Sequence, residues 1–320
     1  MRAVVLTRYG GPEALEVREV PLPEFQEDEV LVRVVAASVN PVDEFTVDPP
    51  LFLRRGQGFL RPRTGRVGLD LAGRVEAVGR AVTEFRVGDE VLGVGHGAFA
   101  EYSNADQTQL VRKPPGLSFE EAAAVPVAAT TALQGLRDHA GVRPGMKVLI
   151  NGASGGVGTF AVQIALALGA EVSCVCSPGK VEWNRSLGVV RVFDYTREDF
   201  TRSGPQYDVI FDTHMNHPLA AYRRALAPHG VLLMVGVGSG SGARLVGRLL
   251  KVLLGSRLLG PKTKFFVAHV DRGSLVPLGD LLAAGKVRPV IDRRYPLSEV
   301  AAALKYLAEG HAQGKLVLTV

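Results

Sequence analysis

The sequence predicts an α/β protein with two domains, one small and β-rich and one built on a doubly wound parallel sheet. Three observations support this fold class. The chain has 320 residues, enough for two domains with separate cores. Its first hundred residues are short β-prone runs separated by Gly, Pro and acidic turns. From about Ser118 onward, apolar strands alternate with helix-length segments, as in parallel α/β sheets.

The doubly wound domain is predicted from this alternation of strands and helices. An Ala-rich helical segment covers residues 120–136, and a second helix is expected to open at a glycine-rich turn and to end near Leu168. The candidate parallel strands are residues 147–150, 171–176, 190–193, 208–211 and 231–235. We assign residues 120–268 to this domain.

The β-rich domain is predicted to include both ends of the chain. Residues 29–35 and 73–78 are typical strand segments. After residue 267 come a helix, a strand at 287–291, another helix and a last strand at 316–320. We expect these closing strands to return to the first domain, which then comprises residues 1–119 and 269–320.

Composition limits the class of protein. Hydrophobic residues make up 47% of the chain and charged residues 22%, as in a soluble globular protein. Neither a secretory leader nor an apolar stretch of membrane-spanning length is visible, so we expect a cytoplasmic protein. The net charge of +5 is by itself a weak indicator of nucleic-acid binding.

The most informative motif is an apolar strand that enters a glycine-rich turn and continues as a helix, in residues 148–158. Small residues let backbone N–H groups approach a pyrophosphate at the positive end of the helix. The usual first glycine is Ala153, so the spacing is Ala153-x-Gly155-x-x-Gly158. The flanking strand and helix favour dinucleotide binding over the alternative, a turn that serves only helix packing.

The end of the next strand indicates which dinucleotide binds. A site for NAD usually places an acid there to bind the ribose 2′-hydroxyl. This strand instead ends in Ser177-Pro178-Gly179-Lys180, which offers a hydroxyl and an ammonium to a 2′-phosphate. We therefore predict NADPH as the cofactor. For Lys180 alone, a solvated lysine in a first helical turn is an equal alternative.

Several motifs occur in one order along the whole chain. They include Asn-Pro-Val-Asp at 40–43, Gly-Leu-Asp-Leu-Ala-Gly at 68–73, the glycine-rich turn, and Gly-His-Ala-Gln-Gly-Lys at 310–315. Together they resemble the zeta-crystallin-like quinone oxidoreductases, a zinc-free family of medium-chain dehydrogenases/reductases. Residues 152–160, 174–177 and 265–268 are most similar to the reticulon-interacting mitochondrial quinone reductase branch.

The resemblance implies a GroES-like β domain and a Rossmann domain, with the active site in the cleft between them. It also implies three sets of cofactor contacts. The pyrophosphate set is Ser154, Gly156, Val157 and Gly158; the 2′-phosphate set is Ser177, Lys180 and Tyr195; the nicotinamide set is Asn40, Thr131, Val267 and Lys315. Gly155 and Phe266 are also predicted to bind the cofactor. For Thr131 the alternative is a buried helix residue that bonds its own backbone.

No zinc site is expected. The zinc dehydrogenases of the superfamily use Cys and His ligands, where this chain has Asn40 and Leu69. Without a Lewis acid, hydride transfer suits an acceptor that delocalises negative charge, namely a quinone or an α,β-unsaturated carbonyl compound.

Three residues are expected near the acceptor. We predict Asn40 as the catalytic hydrogen-bond donor to the acceptor oxygen, although Asn before Pro also caps turns. Phe45 stands where relatives often have Tyr, so the proton is expected from solvent. Phe45 and His96 are placed in the substrate cleft, with a water-exposed loop histidine as the alternative for His96.

Positive charge is concentrated in two segments. Residues 49–69 contain five arginines and no acid, and residues 213–270 contain eight basic residues and no acid. In the second segment, residues 243–259 have the pattern of a basic amphipathic helix. We hypothesise contact with a membrane surface there; the alternative is packing on the protein or on a second subunit.

The predicted function is NADPH-dependent, metal-free reduction of a quinone or an activated double bond, by a homodimer. Two alternatives are kept: an enoyl-thioester reductase on the same fold, and an NADPH-sensitive RNA-binding protein with little catalysis. We do not expect nucleic acid as the partner.

Overall fold

The computed structural model describes residues 1–49, 62, 65–204, 206–235 and 263–320. The chain divides into two compact units. The first unit comprises Met1–Thr130, His269–Ala283 and Pro289–Val320, and the second comprises Thr131–Ala268 and Ala284–Arg288. The predicted α/β fold class is confirmed, since the first unit is rich in antiparallel strands and the second contains a parallel sheet.

The strands of the described residues are, in chain order, β1 (Arg2–Leu6), β2 (Leu15–Glu19), β3 (Glu29–Val39), β4 (Asp70–Val78), β5 (Glu90–Val94), β6 (Tyr102–Asp106), β7 (Leu110–Arg112), β8 (Lys147–Asn151), β9 (Glu171–Cys176), β10 (Arg191–Asp194), β11 (Tyr207–Asp212), β12 (Leu226–Val235), β13 (Thr263–Phe266), β14 (Ile291–Pro296) and β15 (Lys315–Thr319).

The α-helices of the described residues are α1 (Pro41–Val47), α2 (Phe119–Ala123), α3 (Pro126–Leu133), α4 (Gly156–Ala167), α5 (Val181–Ser186), α6 (Leu219–Ala225), α7 (Arg272–Ala283) and α8 (Val300–Ala308). A π-helical turn, Gln134–His139, continues α3. None of the helices in the described part of the chain has the length and apolar character needed to cross a membrane.

Strand β3 is the centre of the first unit. It pairs with β4, β6 and β15, and the larger sheet of this unit runs β14-β15-β3-β4-β5-β7 among the described residues. Strand β15 is antiparallel to β3, with Leu316 opposite Val39. The end of the chain therefore returns to the first unit, as the sequence predicted.

The closing strand predicted at 287–291 is wrong in position. Strand β14 starts only at Ile291. The backbone N–H of Arg288 is bonded to the Gln163 side chain, which also donates to the Arg288 carbonyl. Pro289 lacks an N–H altogether. These backbone groups are therefore not available to a strand ladder.

The second unit contains a six-stranded parallel sheet in the order β10-β9-β8-β11-β12-β13. Strands β8 and β9 are buried along almost their whole length, which explains their continuous apolar runs. From β8 the chain adds β9 and β10 on one side of the sheet, and from β11 it adds β12 and β13 on the other side. The carboxyl ends of β8 and β11 therefore form the switch point at which ligands bind in such sheets.

The Ala-rich segment predicted as one helix is divided at Pro126 into α2 and α3. Ser118 caps α2, and Glu121 bonds back to the Ser118 backbone. Helix α2 buries Ala122 and Ala123 and packs on β3 and β4. Residues up to Thr130 consequently group with the first unit, whereas the predicted second domain begins at residue 120.

Candidate functional site

The glycine loop, residues 152–158, joins β8 to α4 in the second unit. Gly152 has a φ of +92°, which favours glycine. A Cβ on Gly158 would lie 2.0 Å from the Gly152 carbonyl oxygen, whereas one on Gly155 would lie at an ordinary 3.6 Å from the same atom. Gly158 is thus required by packing within the loop. Gly155 is not, and its small size leaves the start of the helix open to the close approach of a ligand.

The loop presents donors to an anion. Gly155 is the N-cap of α4 and provides no side chain, so the first N–H groups of the helix lack a side-chain cap. The hydroxyl oxygen of Ser154 is buried and has no hydrogen-bond partner among the described residues. A buried hydroxyl without a partner is unusual, and a phosphate oxygen at this position would satisfy it.

A second hydroxyl without a partner lies after the neighbouring strand. Ser177 follows β9, and its Oγ is also buried without a partner in the described part of the chain. The backbone N–H groups of Gly152 and Ala153 donate to the carbonyl of Val175, which holds the loop against the end of β9. The two unsatisfied serines therefore lie at the same edge of the sheet, as the two halves of a dinucleotide site require.

Lys180 and Tyr195 lie at this edge too. Lys180 ends the short 3₁₀ turn after β9, with its ammonium 6.0 Å from the centre of the Trp183 ring. Tyr195 follows β10, donates its N–H to the Cys176 carbonyl, and exposes 61% of its surface. The three residues predicted for the 2′-phosphate thus follow two adjacent strands.

The one acid at the end of β10 is already bound. One oxygen of Asp194 accepts hydrogen bonds from the backbone and the hydroxyl of Thr196. These hydrogen bonds lower the pKa of Asp194. Its other oxygen lies 3.7 Å from Arg197. The Asp194 carboxylate is therefore occupied by hydrogen bonds and a charge contact within its own turn.

The other end of the sheet's carboxyl edge holds two residues predicted to bind the cofactor, Phe266 and Val267. Phe266 ends β13 and stacks on His139 with ring centres 4.2 Å apart. Val267 follows it and is 83% exposed. These residues and Tyr195 flank opposite ends of the sheet, so an extended dinucleotide can lie across it. Thr131, also in the second unit, is half-buried on α3.

The loop after β11 packs against the glycine loop. A Cβ on Gly152 would meet Thr213 Oγ1 at 2.2 Å and His214 Nδ1 at 2.3 Å. The buried Asp212 fixes this loop, since its Oδ1 accepts from the His214 N–H and from the Asn151 amide. Within the described ranges there is no group of three or more His, Cys, Asp or Glu side chains arranged to hold a metal ion.

The first unit brings together two predicted residues that are 275 positions apart. The Lys315 ammonium donates to Asn40 Oδ1 at 2.5 Å. Asn40 Nδ2 donates to Asp70 Oδ2 at 2.8 Å, and the Ser38 hydroxyl donates to the same oxygen at 2.8 Å. All four side chains are buried. We call Ser38, Asn40, Asp70 and Lys315 the buried network.

Asn40 also caps α1, as the alternative in the sequence analysis stated. Its backbone N–H donates to Asp43 Oδ2 at 2.7 Å, and Pro41 is the first residue of the helix. The other oxygen of Asp43 is buried without a hydrogen-bond partner among the described residues. Burial raises the pKa of Asp43 to about 7, outweighing the hydrogen bond from Asn40.

The structure does not draw Phe45 or His96 into this network. Phe45 is half-buried on α1. His96 is exposed, with its Nε2 3.7 Å from a Glu29 oxygen and its carbonyl bound by Arg66. The predicted cleft roles of Phe45 and His96 remain predictions.

Sequence reasoning missed Asp70 and Ser38. Each is a single polar residue in an otherwise apolar strand segment, which is a signal of a buried hydrogen-bonding role. Their partnership is set by register, because Ser38 and Asp70 are directly opposite on β3 and β4. The register is a tertiary feature and was not visible in the sequence.

The two basic segments are described only in part. Arg66 donates to the His96 carbonyl, and Lys264 donates to the His139 carbonyl at 2.7 Å. The predicted basic helix at 243–259, and with it the predicted membrane contact, lies outside the described residues.

Two family models match the chain. Residues 26–115 match the alcohol dehydrogenase GroES-like domain, and residues 187–318 match a model described as zinc-binding dehydrogenase. The two matches cover parts of both units.

Curated relatives match over almost the whole chain. The 2-methylene-furan-3-one reductase of Solanum lycopersicum is 34% identical, covering 99% of this chain and 79% of the relative. The chloroplast envelope quinone oxidoreductase homolog of Arabidopsis thaliana is 32% identical, covering 99% and 98%. The mitochondrial NAD(P)H oxidoreductase RTN4IP1 of Mus musculus is 32% identical, covering 100% and 89%.

A solved structure has the same fold. The quinone oxidoreductase from Coxiella burnetii superimposes with a TM-score of 0.85 at 29% identity, covering 100% of this chain and 99% of that one. A GroES-like domain combined with a Rossmann-type parallel sheet defines the class of medium-chain dehydrogenases/reductases. Within that class, the chain belongs to the quinone oxidoreductase family. The predicted family and the prediction of an NAD(P)-dependent oxidoreductase are confirmed.

The predicted cytoplasmic location is contradicted. The Arabidopsis and mouse relatives are named as chloroplast envelope and mitochondrial proteins. Our prediction relied on the lack of a secretory leader. That feature concerns export only, because import into organelles uses presequences of a different, amphipathic kind.

Proposed function

We propose that this protein transfers a hydride from NADPH to a quinone or to the activated double bond of an α,β-unsaturated carbonyl compound, without a metal. The preference for NADPH rests on one observation. Ser177 presents a buried hydroxyl that has no partner among the described residues, beside Lys180, at the place where an NAD site has an acid. Asp194, the acid at the end of the adjacent strand β10, is bound by Thr196.

The acceptor class follows from the residues of the first unit. Asn40 and Leu69 stand where zinc dehydrogenases have ligands, and neither an amide nor an aliphatic side chain is a typical zinc ligand. An acceptor oxygen that becomes negative must then be stabilised by hydrogen bonds and by its own conjugation. The names of the tomato and Arabidopsis relatives, a furanone reductase and a quinone oxidoreductase homolog, agree with such acceptors.

The cofactor proposal is tested by comparing kcat/KM for NADPH and NADH in the wild type and in Lys180→Ala. We expect NADPH to be preferred, and the substitution to raise KM for NADPH about tenfold through loss of a charge-assisted bond, with little change for NADH. Lys147→Ala is the matched control, because Lys147 is exposed at the opposite, amino end of β8. Equal kcat/KM for both cofactors in the wild type would reject the preference.

The acceptor proposal is tested with 1,4-naphthoquinone, a short-chain enone and crotonyl-CoA in one NADPH oxidation assay. Turnover of the quinone or the enone supports the proposal, and turnover of crotonyl-CoA alone supports the enoyl-thioester alternative. RNA binding that persists at 0.15 M salt without turnover of any acceptor would support the RNA-binding alternative. The homodimer remains a prediction, and sedimentation equilibrium of the full chain tests it.

A further inference from the structure

The Asn40 amide is held between two opposite charges. Its oxygen accepts from the Lys315 ammonium at 2.5 Å, and its nitrogen donates to Asp70 Oδ2 at 2.8 Å. The ammonium also lies 3.3 Å from Asp70 Oδ2, so the charges form an ion pair. Asn40 is 2% exposed and the side chains of Lys315 and Asp70 are 3% and 0% exposed, which removes the screening that water would provide.

These charges allow only one orientation of the amide. A flipped Asn40 would place its NH₂ group against the ammonium and its oxygen against the carboxylate. Both contacts would then be repulsive, since an ammonium has no acceptor and a carboxylate has no donor. Asp70 is itself held by the Ser38 hydroxyl and by the Val127 N–H, at 2.8 Å and 3.0 Å. The orientation is therefore set before any ligand binds.

The hydrogens of the network identify the group that remains for a ligand. The three N–H groups of Lys315 face three protein oxygens, those of Val39, Asn40 and Asp70. One N–H of Asn40 is used by Asp70. Within the described residues, the other has only the Ser38 carbonyl at 3.4 Å, which is beyond the usual hydrogen-bond range. This N–H makes the weakest hydrogen bond of the network, so a ligand can take it over at the lowest cost in free energy.

We propose that Asp70 and Lys315 are positioning residues that act through Asn40. They orient the amide, and the ammonium on its oxygen polarises it, so that the second N–H of Asn40 is a stronger donor to the acceptor oxygen. This inference rests on the proposed function. It gives Lys315 a role different from the nicotinamide contact that the family resemblance implies. A further carboxyl group, that of Asp43, lies near this ion pair and interacts electrostatically with both Asp70 and Lys315.

A mutant cycle tests the proposal in the full-length protein. The variants are Asn40→Ala, the charge-neutral double variant Asp70→Asn/Lys315→Met, and the triple variant. The double variant removes both charges of the pair. It therefore avoids an isolated buried charge, which is the main hazard of removing only one partner of a buried pair. Thermal unfolding and NADPH affinity show whether each variant is folded. Activity is measured as kcat and as KM for the acceptor.

We expect Asn40→Ala and the double variant each to lower kcat by about 100-fold, with a smaller change in KM, as for the loss of one oxyanion donor. In the Asn40→Ala background the double substitution should lower kcat by less than about threefold, because no Asn40 amide is left for Asp70 and Lys315 to position. A purely structural ion pair would change the unfolding temperature without this pattern in kcat.

Two outcomes overturn the inference alone: a folded double variant with kcat within about threefold of the wild type, or losses that multiply in the triple variant. A wild type that turns over none of the acceptors would overturn the proposed function, and this inference with it. The two failures are therefore distinguished by the wild-type assay.

Discussion

The two candidate regions differ in how their buried polar groups are satisfied. In the buried network of the first unit, each polar side-chain atom has a partner within the protein. In the second unit, the hydroxyls of Ser154 and Ser177 are buried without partners in the described part of the chain. The first region is thus organised by the protein itself, whereas the second leaves hydroxyls that a ligand of the proposed kind would satisfy.

The regions also differ in how far apart their members are in the chain. The glycine loop is one continuous segment, whose conformation depends on glycine and on the strand and helix that flank it. The buried network joins residues from β3, β4 and β15. A local motif can present unsatisfied donors to a ligand, whereas a network with fixed charges requires several elements to be assembled first.

The largest effect is expected from a glycine pair within the loop. Gly158→Ala should reduce the free energy of unfolding by about 3 kcal/mol, because its Cβ would collide with the backbone at Gly152. Gly155→Ala is the matched variant, with room for a Cβ and a φ of −78°. It should keep its stability but bind NADPH about tenfold more weakly, because the methyl group meets the ligand.

Chemical denaturation and NADPH titration separate these two effects. If both variants lost stability equally, the distinction between a packing glycine and a ligand glycine would be refuted.

An intermediate effect is expected when the same substitution is made in both regions. Ser38→Ala removes a donor from the buried Asp70 carboxylate and should cost about 1–2 kcal/mol of stability. Ser177→Ala removes a hydroxyl for which the described part of the chain provides no partner, so stability should change by less than about 0.5 kcal/mol. Its NADPH affinity should nevertheless fall about tenfold, because a bond to a charged phosphate is lost.

Urea unfolding with and without NADPH measures both quantities for each serine. A larger loss of stability in Ser177→Ala than in Ser38→Ala would contradict the comparison between the regions.

The smallest effect is expected from pH at the edge of the buried network. With its pKa at about 7, folded Asp43 keeps its proton over a range in which the unfolded chain, with a pKa of about 4, has lost it. The contribution of Asp43 to stability is therefore complete below about pH 4 and is lost as the pH rises to about 7. Asp43→Asn cannot titrate, so its unfolding temperature relative to the wild type should improve between pH 5 and 8.

Thermal unfolding at several pH values is the measurement. Asp28→Asn, at an exposed aspartate of the same unit, serves as the control and should follow the wild-type curve. Parallel curves for Asp43→Asn and the wild type would show that Asp43 does not titrate in this range.

Features that depend on neighbouring residues were well predicted from the sequence. The five predicted parallel strands all appear in the second unit, although β12 starts earlier, at Leu226. One error arose where a segment's partners lay elsewhere in the chain, and another where a local signal was overlooked. The strand expected at 287–291 is displaced because the Arg288 backbone is bonded to Gln163. The helix expected at 120–136 is interrupted at Pro126, a residue whose effect the Ala-rich pattern concealed.

By itself the sequence determined the fold class, the glycine loop and the lack of an acid after β9, because these depend on periodicity and on short motifs. It also indicated Asn40 and Lys315 as site residues through resemblance. Only the tertiary structure decided that the two side chains touch and that Asp70 holds them, since strand register brings residues from distant parts of the chain together. It likewise decided which serines lack partners in the part of the chain that the structure describes, because burial and hydrogen bonding are properties of the folded chain.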